Sequence, residues 1–478
     1  METLLVILQA CVVLGAIMLG VRTGGLGLGL WGVVGTTILV FVFRLEPGSP
    51  PIDAFFIIIA VITASSAMQA AGGIDYLVSI ASKIIQRNPR RLTYVAPIVA
   101  FVFTVLSGTS NIFFALIPVI YETAYRNGQR PERALAASTV TSGLGITASP
   151  VSAAMAAYLV LMAGTGYELP QILLITIPSA IVACIATSFV QQRLGKDLLD
   201  DPEFLKRVAD GRVELSPALR ARYDAKMAAS ADGGTSDAAG TRRTRTAEKA
   251  ASAPIEHPVP PGGQTAALIF IAGTLLVVLL GLFPSLRPAF PDAEGDLVPI
   301  GMATVIEMVM FTAALVIILV RRVKPSQVVE QPLLKAGYVA AVALFGIAWM
   351  ADTFISANEE TIIEPLGKLI VANPLLLAVA LFIVAGLTTS QSATTNTLVP
   401  IALAAGLAPG VITAMWPSLI GVWLFPANGS QIASVETDAT GSTKLTQIPV
   451  WHSFTIPMLV SWVAVVGSGL LIQLVVPS

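Results

Sequence analysis

Two short runs of hydroxyl and amide side chains stand inside otherwise apolar sequence: Ser107-Gly108-Thr109-Ser110-Asn111, and TTSQSATTN from Thr388 to Asn396. No charged residue occurs between Leu92 and Tyr121, or between Leu369 and Val435. Such groups cannot all face lipid, because an unpaired polar group in hydrocarbon costs about 2–7 kcal/mol. They are expected to line a polar cavity. Two further interruptions, Ser149 to Ser152 around Pro150 and Ala427 to Gln431, offer more hydroxyls, amides and freed backbone groups. No lysine or arginine stands in any of the four, so the chemistry is recognition rather than covalent work. Helix N-termini, each equivalent to about half a positive charge, can hold a small anion with the help of hydroxyl and amide donors. Two such half-sites facing each other suit a dianion with a carboxylate at each end. Freed carbonyls and Asn or Ser oxygens would equally suit a sodium ion.

The candidate substrate or ion shell is therefore Thr109, Ser110, Asn111, Ser149, Ser392, Thr394, Thr395, Asn396, Asn428 and Ser430, with a sodium ion possible at Asn111 and Asn396. Ser, Thr and Gly also pack helix interfaces in membranes, and one such cluster alone would read that way. Two clusters at matching places favour a site. Glu307, alone in an apolar segment, is a candidate proton carrier, since acids at membrane depth are costly and kept for function. A carboxylate paired with a hydroxyl in the scaffold is the plainer alternative. Glu436 and Asp438 read as residues of a wet loop.

Composition says what kind of element holds these groups. The chain is 55% hydrophobic and 12% charged, with mean hydropathy +0.80; globular domains carry about twice that charge. This is the profile of an all-α polytopic membrane protein in a lipid bilayer. A net charge of −1 offers nothing to nucleic acid. Cys11 and Cys184 are isolated in apolar segments, and His257 and His452 are the only histidines, so no disulfide or transition-metal cluster is indicated. No HExxH, Walker or GxSxG motif occurs, so neither an enzyme nor a resident cofactor is expected. Residues 3–20 lack a basic n-region and read as a retained first helix.

Spans are expected at 4–19, 25–43, 52–71 and 171–192, and again at 265–283, 298–320, 336–353 and 454–475. The second is rich in glycine, which reads as close helix packing or a protomer contact rather than a phosphate loop. The polar runs fall in segments too short to cross twice: arms of about 15 and 11 residues flank the second, against about 20 for one crossing. Re-entrant hairpins at about 92–121 and 372–407 fit better. Broken helices follow at about 134–163 and 411–435. Residues 195–263 read as a cytoplasmic linker, disordered from about Ala228.

The basic clusters Lys83, Arg87, Arg90, Arg91 and Arg126, Arg130, Arg133 are placed inside by the positive-inside rule. Both termini then lie outside, and Arg44, Arg287 and Lys368 are the exterior basic residues. Residues 1–194 and 264–478 each hold five crossings and one hairpin. Because five is odd, the halves form inverted repeats whose broken helices meet near the midplane.

At TGGLGLGLWG (23–32), LEPGSPPID (45–53), QRNPRR (86–91), RPERALAAS (130–138), ASPVS (148–152), GKDLLDDPEF (195–204), SQSATTNTLVP and ETDATGSTK (436–444) the chain resembles the anaerobic four-carbon dicarboxylate transporter (Dcu) family. The resemblance implies exchange, uptake or efflux of fumarate, succinate, malate and aspartate across a bacterial inner membrane. The wider superfamily it looks like implies an elevator mechanism and a homodimer. The two tips also look like the Ser-Asn-Thr tips of sodium-coupled dicarboxylate carriers. A sodium- or proton-coupled symporter of another small carboxylate, or an anion channel, is the alternative.

Overall fold

The computed structural model describes residues 2–23, 26–110, 112–216, 219–224, 259–291, 296–358, 373–425, 428–446 and 450–476. Asn111 and most of the stretch expected to be disordered lie outside the described residues.

The first half runs α1 (Glu2–Thr23), α2 (Leu26–Phe41), α3 (Ile52–Ala70), α4 (Gly73–Arg87), α5 (Leu92–Ser107), α6 (Ile112–Arg126), α7 (Pro131–Thr147), α8 (Ala153–Leu161) and α9 (Leu169–Gln191). A short helix α10 (Pro202–Ala209) follows. The second half runs α11 (Gly263–Leu282), a two-stranded ribbon β1 (Ala289–Pro291) and β2 (Leu297–Pro299), α12 (Met302–Arg321), α13 (Pro325–Val329) and α14 (Pro332–Ala357). It closes with α15 (Leu375–Thr388), α16 (Gln391–Ala404), α17 (Pro409–Met415), a 3-10 segment (Trp416–Trp423), α18 (Gly429–Thr437) and α19 (Thr455–Ile472). Among the described residues six helices are long and apolar enough to cross a membrane, or seven if the bent pair α3 and α4 counts as one. Their outward side chains, such as Leu275, Met308, Leu319 and Val463, are exposed and apolar, as a lipid-facing surface requires.

Packing between the halves is reciprocal. α2 lies against α14 and α3 against α12, while α9 packs on α19. Within each half the first arm of the polar-tipped pair packs on the interrupted helix that follows: α5 on α7, and α15 on the 3-10 segment. The glycines of α2 serve the first crossing. A Cβ on Gly29 would strike the backbone of Val342, and one on Gly346 would strike the backbone of Gly29.

Three features differ from the sequence reading. α4 is an additional helix, bent by 75° from α3 at Gly72, which has φ 78°. Leu77, Val78, Ala81 and Ile85 form its buried face and Lys83 and Arg87 its wet one. The segment expected as one broken helix from about 411 to 435 is interrupted twice, because Pro417 has no N–H to donate and the chain tightens into 3-10 geometry from Trp416. The described residues between 195 and 224, expected as the start of a partly disordered linker, are docked on the bundle. Leu198, Phe204, Val213 and Leu219 bury themselves with Tyr125. Ion pairs Arg130–Asp201 (2.5 Å), Arg133–Asp197 (2.7 Å) and Lys444–Glu203 (2.5 Å) fasten this segment to α7 and to the turn after α18. In that turn the buried Asp438 carboxylate accepts bonds from Thr440, Ser442 and Thr443.

Candidate substrate cavity

Each polar tip begins where a helix stops in the left-handed region. α5 ends at Gly108 (φ 71°), and α15 ends at Thr389 (φ 50°), an uncommon conformation for a β-branched residue. The chain then reverses and a new helix starts. Ser390 caps α16 by accepting from Ala393 N–H at 3.2 Å. The interruptions are capped in the same way. Ser152 accepts from Met155 N–H (3.1 Å) and donates to Ile146 O (2.7 Å), and Asn428 caps α18.

These four breaks wall one cavity of about 340 Å³. Ser107, Thr109 and Ser110 come from the first tip, and Thr389, Ser390 and Ser392 from the second. Ala153 and Ala154 come from the start of α8, and Asn428 from the start of α18. Ser65 of α3 and Gly337 of α14 close it from the other side. The N-termini of α8, α16 and α18 therefore open on the same space, beside the first tip. First-turn N–H groups have no carbonyl one turn back to bond, so each terminus offers donors and a partial positive charge. Among the described residues no charged side chain lines the cavity. The arrangement can bind a small anion by backbone and hydroxyl donors, without a formal counter-ion.

Two lining groups carry unspent hydrogen-bonding capacity. Gln391 donates Nε2–H to Gly143 O (3.1 Å), which turns its buried Oε1 away without a partner. Trp423, 1% exposed, has a buried Nε1–H with no acceptor. Unpaired buried polar groups are rare enough in folded proteins to need a reason, and a ligand supplies one. Gly143 lies beside both, and a Cβ there would come within 2.8 Å of Trp423 Nε1. Gly143→Ala is accordingly expected to crowd the indole and cut transport at least about tenfold, with insertion and melting near wild type. Rates per folded protein check this.

Of the residues singled out from sequence, Thr109, Ser110, Ser392 and Asn428 line the cavity. Asn111 lies outside the described residues, and Ser149, Thr394, Thr395, Asn396 and Ser430 support the cavity from behind. Ser149 is buried and donates to Val105 O (2.7 Å), tying the first break to α5. Thr394 bonds Thr388 Oγ1 (3.0 Å) and Ser390 O (2.9 Å). Thr395 donates to Gln391 O (2.8 Å) and accepts from Trp416 Nε1 (2.9 Å). Asn396, 1% exposed, donates to Ser392 O (2.8 Å), and Ser430 donates to Asn428 Oδ1 (3.1 Å). Glu307 stands apart, half-buried on α12 and close enough to Asp53 for the two carboxylates to interact. Sequence reasoning missed Ser65, whose signal was a Ser-Ser pair inside an apolar span, and Trp423, which carried no signal. It also left Gln391 out of the shell, although Gln391 stands in the polar run itself.

Outside the cavity His452 braces the second break. Its Nδ1 accepts from Phe454 N–H (3.2 Å), so Nε2–H donates to Leu424 O (3.2 Å). Burial holds its pKa below the ordinary histidine value, which keeps the ring neutral.

A helical membrane protein whose broken helices aim their N-termini at one polar cavity has the architecture of a transporter. The family described as anaerobic C4-dicarboxylate membrane transporter matches residues 5–476, and the chain belongs to it. It is 34% identical over 460 residues to the anaerobic C4-dicarboxylate transporter DcuB of Escherichia coli O157:H7, covering 95% of each chain. It is 33% identical over 454 residues to the C4-dicarboxylate transporter DcuA of Escherichia coli strain K12, again covering 95% of each. Among solved structures it resembles the YdaH transporter of Alcanivorax borkumensis, with a TM-score of 0.52 at 11% identity over 94% of this chain and 96% of that one. That likeness speaks to fold alone.

Proposed function

We propose that this protein is a secondary carrier that exchanges or takes up four-carbon dicarboxylates such as fumarate, succinate, malate and aspartate. The observation that carries the reading is the convergence of three helix N-termini and two polar tips on a cavity with no charged side chain among its described lining residues. A dianion of four carbons can offer one carboxylate to the termini of each half, whereas a monocarboxylate uses only one. Thr109, Ser110, Ser392 and Asn428 contribute donors directly.

The reciprocal packing of α2 on α14 and α3 on α12, and the left-handed caps at Gly108 and Thr389, support two inverted repeats of five crossings and one re-entrant hairpin each. In this reading the hairpins and interrupted helices form a unit that slides as an elevator against α1–α3 and α11–α14. The protein works as a homodimer in a bacterial inner membrane, with both termini outside. Exchange is preferred to proton coupling through Glu307, which stands with Asp53 and away from the cavity. A sodium-coupled carrier, with an ion at Asn111 or Asn396, would use the same cavity.

Succinate and fumarate are expected to raise the melting temperature of the purified protein, whereas butyrate at the same concentration leaves it unchanged. The difference reports preferential binding to the folded state. Equal stabilisation by butyrate would remove the argument for a two-ended site.

A further inference from the structure

A second cavity, of about 870 Å³, opens at the end of α9 away from Arg193, between the α8–α9 connection, the start of α3 and the facing ends of α11 and α12. Its walls are mainly apolar, from Ile57, Leu159, Val160, Leu282 and Met302, and one corner is charged. There Arg287, 8% exposed, donates Nη1–H to Ile300 O (3.2 Å) and pairs through Nη2 with Glu168 (3.2 Å), whose side chain is half exposed. Its Nε–H is buried and unpartnered. Gln171, lining the same cavity, has a buried Oε1 that is also unpartnered. Asp53 and Tyr167 complete the titratable lining among the described residues.

A buried guanidinium with a donor left over is costly, because charged groups lose more than neutral ones when a bond goes unmade. The corner therefore asks for an anion that accepts from Arg287 and, beside it, a donor for Gln171. The volume is more than twice that of the 340 Å³ central cavity, near the upper end of the range of about 300–1,000 Å³ typical of small-molecule sites, and too large for a four-carbon acid alone. Exposed apolar side chains, Leu282, Leu286, Phe290 and Leu297, stand on the elements that frame it, so its mouth faces hydrocarbon at the membrane interface. We propose that this cavity binds one phospholipid with a donor-bearing headgroup, of the phosphatidylethanolamine kind. The phosphate pairs with the Arg287 guanidinium, the ammonium meets the Gln171 amide and Asp53, and acyl chain lies along the apolar wall. The site is separate from the transport cavity, and its test does not depend on the substrate.

Native mass spectrometry of the full-length protein, delipidated and then supplied with phosphatidylethanolamine, phosphatidylcholine or inorganic phosphate, tests this. The expected result is one retained phosphatidylethanolamine per chain, held about tenfold more tightly than phosphatidylcholine, whose headgroup has no N–H to donate. Arg287→Met should weaken retention at least about tenfold, while Arg287→Lys, which keeps the charge, restores part of it. Gln171→Leu should erase the preference between the two lipids yet keep binding, and it carries the test if Arg287→Met fails to fold. Undiminished lipid on a folded Arg287→Met protein, an unchanged preference in Gln171→Leu, or displacement of the lipid by inorganic phosphate would overturn the proposal.

Discussion

Ser392→Asp is expected to abolish dicarboxylate transport while leaving the protein folded. Ser392 stands in the first turn of α16 and lines the cavity. A carboxylate suits a helix start, adding about 0.3–1 kcal/mol of stability, so the fold should tolerate it. The arriving substrate would meet a fixed negative charge in a site that holds no positive side chain to compensate. At roughly 5 Å and an effective dielectric of about 20, repulsion on the nearer carboxylate is about 3 kcal/mol, more than a hundredfold in affinity. Ser392→Ala removes only one hydroxyl and should cost far less. Uptake and succinate-induced thermal stabilisation should both vanish in the aspartate variant. Wild-type uptake by that variant would show that the anion binds elsewhere.

The largest effect on stability is expected at Gly346. Its Cα faces the backbone of Gly29 so closely that an added methyl overlaps the Gly29 carbonyl, and Gly29 faces Val342 in the same way. Both obstructions are backbone, so no rotamer change relieves them and α2 and α14 must move apart. Gly346→Ala should therefore reach or exceed the upper end of ordinary overpacking, about 3 kcal/mol, and Gly346→Leu should leave little folded protein. Gly467 of α19 has nothing within 4 Å of its Cβ position, and alanine there should change stability by less than about 0.5 kcal/mol. Thermal unfolding in detergent checks the pair. A Gly346→Ala protein that melts like wild type would contradict the close crossing.

Much of this architecture was legible because lipid makes polar residues conspicuous. Membrane class followed from composition, and each place where the apolar pattern broke is a place where the structure ends one helix and starts another. What sequence could not separate was lining from support. Thr395 and Asn396 look as ligand-like as Ser392, yet they sit one turn into α16, where their side chains bond back to Gln391 O and Ser392 O. Trp423 was invisible because its role depends on Gly143, distant in sequence and brought beside it only by the fold. α4 was missed for a different reason. Its apolar period of three to four residues is plain at Leu77, Ala81 and Ile85, but the basic side chains interleaved with it read as a loop.

The most direct test of the central claim is uptake of labelled succinate into proteoliposomes that hold the purified protein, with unlabelled fumarate or buffer inside, in sodium and in potassium. The account predicts saturable uptake that requires internal fumarate and is the same in both cations. Uptake driven by a sodium gradient into fumarate-free vesicles would contradict exchange and make the Asn-bearing tips ion sites. No uptake under any condition would contradict the assignment of four-carbon dicarboxylates as substrate.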